Sequence, residues 1–261
     1  MSQELLNYVP ASPVLQDRVI LVTGAASGIG HAVAVAYARF GATVVLLDKN
    51  VPALEVTYDK IVDAGYPEPA IYPLDLEKAN QDDYALLAEK ITENFGRLDG
   101  LVLNAAWLAA FMPIKLHDVD LWSQMITINL HANFLILKNC LPLLEESPDA
   151  AIIISSDATN KPYYGGYGVS KAALDTLADL VMTEYDTPPH FIRVNKINTG
   201  PVRTSLRTMH YPGENQNALV RPENIVGPYL YFMSPDAGRR TGEYLDLGRL
   251  SADTLWAGNQ A

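Results

Sequence analysis

Ile20-Leu21-Val22-Thr23-Gly24-Ala25-Ala26-Ser27-Gly28-Ile29-Gly30 is an apolar run that breaks into three glycines and then into a helical pattern over His31 to Phe40. It reads as strand, tight turn and helix, the first half of a βαβ unit. Such a turn offers backbone N–H groups and the positive end of a helix to an anion. Glycine suits it because a Cβ would block the close approach of a diphosphate, and because a turn can require positive φ. The alternative is a glycine-containing turn that binds nothing. Asp48 weighs against that alternative. It closes the next apolar run, Thr43 to Leu47, 18 residues after Gly30, where a carboxylate can accept from the two ribose hydroxyls of an adenosine.

Outward from this stretch the pattern repeats. Pro52 to Ala64 fits a helix with proline in its first turn, Ala70 to Leu74 a short strand, Asp82 to Phe95 a helix stopped by Gly96, and Leu98 to Leu103 a fourth strand. Asp120 to Leu144 reads as one long helix with Asn129 inside it, and Ala151 to Ile154 as a fifth strand ending in Ser155-Ser156. Gly168 to Tyr185 is helical, Phe191 to Ile197 a sixth strand, residues 222–234 helical, and Tyr244 to Leu247 a final strand. Alternating strands and helices point to an α/β fold with a parallel sheet wound on both faces. Residues 1–17, with Pro10 and Pro13, read as an arm; 18–248 as the dinucleotide-binding catalytic domain; 249–261 as a tail.

The totals set limits on partners. With 261 residues and 49% apolar content the chain can bury one full core. A net charge of −11 opposes binding to nucleic acid or to an anionic membrane surface. Residues 1–18 lack a basic head followed by an apolar core, and no apolar run is long enough to span a bilayer. The single cysteine, Cys140, excludes an internal disulfide and fits a reducing compartment, so a cytoplasmic protein is expected. The histidines lack ligand spacing such as His-x-x-x-His, and no metal is expected.

Polar groups follow the carboxyl ends of successive strands: Asn104, then Ser155-Ser156, then Asn198-Thr199-Gly200, the edge at which open α/β sheets bind ligands. Tyr167 and Lys171 lie four apart on one helix face. A free tyrosine, with pKa near 10, is a poor acid–base group at neutral pH. An ammonium about 4 Å away is worth roughly 4 kcal/mol at an effective dielectric near 20 and lowers that pKa by up to about 3 units. The competing reading is an ordinary exposed helix pair. Asn129, unfavourable inside a helix, is either solvent-facing or retained for a task.

Taken together, Thr23-Gly24-x-x-x-Gly28-x-Gly30, Asn104-Ala105-Ala106, Asn129, Ser156, Tyr167-x-x-x-Lys171 and Asn198-Thr199-Gly200 resemble, in order and spacing, the short-chain dehydrogenase/reductase family, from about Asp17 to Asp246. The resemblance implies a single-domain Rossmann fold, a doubly wound sheet of about seven parallel strands holding a nicotinamide dinucleotide. It implies Tyr167 as acid–base residue, Lys171 on the nicotinamide ribose and tuning Tyr167, Ser156 on the substrate oxygen, and Asn129 anchoring a water in a proton relay. Reducing a ketone builds negative charge on its oxygen, so a nearby hydroxyl and a proton-yielding phenol favour the transition state. Cofactor contacts are expected from Thr23, Gly24, Ser27, Gly28, Ile29, Gly30, Asp48, Asp75, Leu76, Asn104, Ala105, Tyr167, Lys171, Gly200 and Val202; for Asp75 a capping role is the alternative. Asp48 repels a 2′-phosphate and Ser27 replaces a basic residue common in phosphate-preferring members, which favours NAD over NADP, although Lys49 is a neighbouring cation. A homo-oligomer, dimer or tetramer, is expected by resemblance.

The chain also departs from the family. Asn-Ala-Gly is usual where it has Asn104-Ala105-Ala106, and Asn-Pro-Gly where it has Asn198-Thr199-Gly200. The interval of 11 residues from Ser156 to Tyr167 is shorter than usual, which leaves Ser155 and Ser156 as rivals. Three loops, 106–117, 157–166 and 202–221, line the expected substrate side. They carry Trp107, Leu108, Phe111, Met112, Tyr163 and Tyr164, then Arg203, Arg207, His210 and Arg221. The aromatics read as an apolar pocket or as packing under a lid, and the cations as an anion site or a solvated lid. An oxidoreductase acting on a secondary alcohol or ketone is the leading reading. The alternatives are a 3-oxoacyl carrier-protein reductase and a dinucleotide-binding redox sensor without turnover.

Overall fold

The computed structural model describes residues 2–249 apart from Pro188, so the expected tail lies, but for its first residue, outside the described residues. The elements run α1 (Ser2–Leu6), β1 (Val19–Thr23), α2 (Gly28–Arg39), β2 (Thr43–Asp48), α3 (Val51–Asp63), β3 (Ala70–Pro73), α4 (Gln81–Phe95), β4 (Gly100–Leu103), α5 (Val119–Ile126), α6 (Ala132–Glu145), β5 (Ala150–Ser156), α7 (Gly165–Glu184), β6 (Ile192–Asn198), α8 (Ser205–His210), α9 (Val226–Met233) and β7 (Tyr244–Asp246). The seven strands form one parallel sheet in the order β3-β2-β1-β4-β5-β6-β7. Chain order reverses between β1 and β4, the place where such sheets open a crevice beyond their carboxyl ends.

β1, β4, β5 and β6 are buried along their whole length, as strands covered on both faces must be. Alternate side chains enter different layers. Ile20 and Val22 of β1 join a cluster with Ala34, Tyr37, Tyr229 and Phe232 from α2 and α9. Val19 and Leu21 join another with Leu87, Ile136 and Leu174 from α4, α6 and α7. The stretch read as an arm packs into the first of these layers through Leu5, Leu6 and Leu15.

The long helix expected from Asp120 to Leu144 is interrupted. A π-turn over Thr127–His131 joins α5 to α6, and Asn129 sits within it, fully buried rather than solvent-facing. Such turns widen the helix by one residue and concentrate at functional sites. α4 is bounded as its sequence predicts. Asn80 and Asp83 form a reciprocal cap at its start, and Gly96 ends it at φ 69°.

At the opposite, amino edge of the sheet, buried charge ties the strands together. Arg18 Nη1 donates to Asp149 Oδ2 at 2.6 Å, and Arg193 Nη1 donates to Asp149 Oδ1. The guanidinium side chains are only 8% and 3% exposed. Removing one member of a buried ion pair leaves the other uncompensated. Asp149→Ala, which would leave two guanidiniums facing one another, is therefore expected to lower stability by about 3 kcal/mol or more. The midpoint of urea unfolding, at unchanged slope, measures this, and a loss below about 1 kcal/mol would contradict it.

Candidate active site

The carboxyl ends of β1, β2, β4, β5 and β6 open into one cleft of about 300 Å³. One wall is the glycine turn. Gly24 and Gly28 both have positive φ, 69° and 55°, and a Cβ on Gly24 would come within 2.9 Å of Asn104 Nδ2. Gly30 is tighter still, since a Cβ there would lie 2.1 Å from the Gly24 carbonyl oxygen. Ser27 caps α2 with extended backbone and makes no side-chain cap bond, so the first amides of the helix face the cleft without that partner. Asp48 ends β2 on the same rim. This cradle fits the diphosphate and adenosine ribose of a dinucleotide.

Most of the expected cofactor residues line the cleft: Gly24, Ser27, Gly28, Ile29, Asp48, Asp75, Leu76, Asn104, Ala105, Tyr167, Lys171, Gly200 and Val202. Thr23 and Gly30 do not; both stand behind the wall. Thr23 Oγ1 donates to the Val102 carbonyl and accepts from the N–H groups of Asn104 and Ala105, each at 3.0 Å. Asp75 Oδ1 accepts from the Glu77 amide at 3.1 Å, and its carboxylate lies near Lys49 and Lys78 at 3.9 and 3.7 Å. Ala106, where glycine is usual, keeps φ outside the left-handed region, so alanine fits without strain. Gly200 does need its type, with φ 62° and Gly248 Cα 2.6 Å from where a Cβ would be.

Tyr167 and Lys171 project from the first turns of α7 and are 6% and 3% exposed. Their partners differ from the expected pairing. Lys171 Nζ donates to the Ser155 carbonyl at 2.5 Å, while Tyr167 Oη donates to Asp157 Oδ2 at 3.0 Å. Burial first, and the Asp157 carboxylate second, push the phenol well above its ordinary value. Burial lowers the Lys171 ammonium, against the opposing pull of Asp157 and Asp175. The phenol is thus raised by desolvation and by the carboxylate it bonds, opposite to the acidification expected from Lys171.

Ser156 lines the cleft, yet its hydroxyl turns to α7 and donates to Asp175 Oδ2 at 2.7 Å. Ser155, one residue earlier, points to the other face and bonds Asn104 Oδ1 and Tyr229 Oη at 3.1 and 2.8 Å. Asn129 is brought behind the site, where it acts as a clamp. Its Oδ1 accepts from the Trp107 N–H at 2.7 Å, and its Nδ2 donates to the Trp107 carbonyl at 2.8 Å and to Ser170 Oγ at 3.1 Å. Its main-chain carbonyl accepts from Asn133 Nδ2 at 2.7 Å.

The three loops close the substrate end with aromatic rings. Phe111 stacks on Tyr164 at 5.2 Å and meets Tyr211 edge-on at 5.1 Å, while Tyr164 meets Tyr167 at 5.5 Å. Tyr163, at φ 71° and 60% exposed, faces outward. Of the basic cluster, Arg207 is held by Glu214 through two 2.7 Å bonds and lies 3.5 Å over the Tyr211 ring. Asp157, Lys161, Tyr211 and Glu214 are the members that sequence reasoning missed. Asp157 alone carried a signal, following Ser155-Ser156 at the head of an unusually short segment.

Wider likeness runs in the same direction. Residues 18–215 match the family described as short chain dehydrogenase. The uncharacterized oxidoreductase YciK of Escherichia coli is 34% identical over 244 residues, covering 92% of this chain and 96% of its own. A solved structure from Pseudomonas syringae, described as that of a short chain dehydrogenase, superposes with a TM-score of 0.89 at 39% identity, over 92% of this chain and 98% of its own. A counterpart from Escherichia coli, solved in complex with NADPH, gives a TM-score of 0.87 at 34% identity, over 91% and 99%. Sequence, sheet order and cleft agree, and the chain belongs to the short chain dehydrogenase family.

Proposed function

We propose that this oxidoreductase interconverts a secondary alcohol and a ketone, with Tyr167 moving the proton and NAD(H) as its cofactor. The observation that carries the reading is a buried phenol on the cleft wall, one helical turn before a buried ammonium and across from the glycine turn. A nicotinamide dinucleotide held by the glycine turn and Asp48 would supply the hydride chemistry. Tyr167 Oη hydrogen-bonds the substrate oxygen and exchanges its proton. Lys171, anchored on the Ser155 carbonyl, supplies positive potential beneath the reacting oxygen. The rings of Tyr164 and Tyr211 on the cleft wall, with Phe111 packed against both, exclude water and favour an apolar or aromatic substituent on the substrate. Arg207, neutralised by Glu214, is a poor anchor for an acidic carrier protein. The buried Tyr167–Lys171 pair is more than a redox sensor needs.

Asp48 supports NAD over NADP, because a carboxylate at the end of β2 accepts from ribose hydroxyls and repels a 2′-phosphate. The opposite reading draws on the relative solved with NADPH, and Lys49, 59% exposed beside Asp48, is the cation it would use. No helix among the described residues is long and apolar enough to cross a membrane. A cytoplasmic setting fits the lone Cys140, whose buried thiol is pushed up to about 12. A homo-oligomer is supported by an apolar groove between α6 and α7, where Phe134 is 44% and Leu180 56% exposed. Its proposed occupant is the same face of a second copy.

Tyr167→Phe is expected to reduce turnover of the best substrate in a panel of 2-butanol, cyclohexanol and 1-phenylethanol by about 100-fold or more, with dinucleotide binding retained; unchanged turnover would refute the reading. Wild-type protein should bind NADH at least about tenfold more tightly than NADPH, and Asp48→Ser should narrow that ratio, as followed by dinucleotide fluorescence. Tighter binding of NADPH by the wild type would establish the opposite preference. Light scattering should find a dimer or tetramer that Phe134→Glu dissociates, whereas a monomeric wild type at micromolar concentration would exclude the oligomer.

A further inference from the structure

Three consecutive side chains at the end of β5 and just beyond it take three directions. Ser155 bonds across the sheet to Tyr229, Ser156 donates to Asp175 on α7, and Asp157 reaches the phenol of Tyr167. The segment from Asp157 to α7 is short, and the Ala158 amide fixes the carboxylate by donating to Asp157 Oδ1 at 2.6 Å. We propose that Asp157 is a catalytic group of this site: its carboxylate is the terminal base that accepts the proton of Tyr167 as Tyr167 takes the hydroxyl proton of an alcohol. The proposal rests on the reading of Tyr167 as the proton-transfer residue.

The step balances. The substrate O–H bond breaks and its proton joins Tyr167 Oη; the Tyr167 O–H bond breaks and that proton joins Asp157 Oδ2. The carbinol C–H bond breaks and its hydrogen departs with both electrons as hydride, for which a bound oxidised nicotinamide would be the two-electron acceptor, so that the alcohol is oxidised to a ketone. One proton remains on Asp157, whose side chain is 27% exposed and can release it to water. Tyr167, 6% exposed, has no such exit of its own. Ketone reduction is the reverse and starts from protonated Asp157.

Electrostatics favour this division of labour. Burial and the adjacent carboxylate favour the neutral phenol, and the hydrogen bond from Tyr167 Oη makes Asp157 the base within reach of its proton. A serine hydroxyl at that position could bond the substrate oxygen but not store a proton at neutral pH. Several charged and titratable groups face the pair. Lys161 Nζ stands 3.8 Å from Asp157 Oδ1 on the same segment. Tyr164 faces the pair from the residue before α7 and Lys171 from α7 itself, Tyr211 faces it from the end of α8, and Arg207 acts on it through Tyr164.

The test compares wild type, Asp157→Asn and Asp157→Ser in alcohol oxidation with the best substrate of the same panel. Wild-type kcat/KM should level at a lower pH than that of either variant. Both variants should lose about 100-fold or more at neutral pH, with a residual rate that keeps climbing until the phenol ionises by itself. A readout independent of turnover is the ultraviolet absorbance of tyrosinate, corrected with Tyr167→Phe. Its onset should move to lower pH in Asp157→Asn, because the raising charge is gone. Retained NADH binding shows that each variant is folded. An unmoved pH profile in both Asp157 variants, or a larger loss in Ser156→Ala than in Asp157→Asn, overturns the role of Asp157. Undiminished turnover by Tyr167→Phe instead overturns the reading beneath it, so the two failures are distinguishable.

Discussion

The hydroxyl of Thr23 secures the seam on which the cleft depends. It donates to the Val102 carbonyl and accepts from two successive amides, those of Asn104 and Ala105. A parallel sheet that reverses its winding must part its crossover loops at the reversal, and polar backbone exposed by that parting needs partners. One buried side chain supplies three bonds there. It holds the chain after β4 close enough to the glycine turn that Gly24 and Gly30 tolerate no Cβ. The nucleotide cradle therefore depends on how tightly β1 and β4 are joined.

Much of this was legible from residue order. Strands rich in β-branched residues, glycine at turns and proline in first helical turns are local signals, and the parallel order followed from their alternation. Tyr167 and Lys171 were legible because a helix fixes the geometry of residues four apart. The serine was not. Which of Ser155, Ser156 and Asp157 reaches the phenol depends on strand alternation, on the docking angle of α7 and on the length of the connecting segment, none of which is a local property. Asn129 was flagged as unfavourable in a helix, but the π-turn that accommodates it arises from tertiary bonds to Trp107 and Ser170. The Arg207–Glu214 pair is not legible in the sequence, because which carboxylate meets which cation of that loop is set by its folded path.

The electrostatic character of the site departs from a phenol acidified by lysine alone. Two ionisable groups of opposite preference flank Tyr167: a buried ammonium engaged with a main-chain carbonyl, and a partly exposed carboxylate engaged with the phenol itself. Desolvation raises the cost of charge on the phenol, and the carboxylate raises it again. Lys161 joins this arrangement to the outer layer. It approaches Asp157 on one side and donates to Tyr164 Oη at 3.1 Å on the other, and Tyr164 shares a 2.8 Å bond with Tyr211. The aromatic wall and the proton-transfer pair are therefore one connected network, so a substituent that displaces Tyr211 is felt at Asp157.

The widened turn at Thr127–His131 has a consequence for how this chain can change over evolutionary time. One surplus residue shifts the angular phase of everything downstream by about a third of a revolution relative to an uninterrupted helix. Leu135, Ile136 and Cys140 meet the sheet downstream of it. Excising the surplus residue between Met125 and Ala132 would restore a regular helix and leave those apolar groups on the sheet, at the cost of the widened turn that holds Asn129 against Trp107. The surplus residue therefore serves the site rather than the core, and its loss would be felt at Trp107 before it was felt in the packing of the sheet.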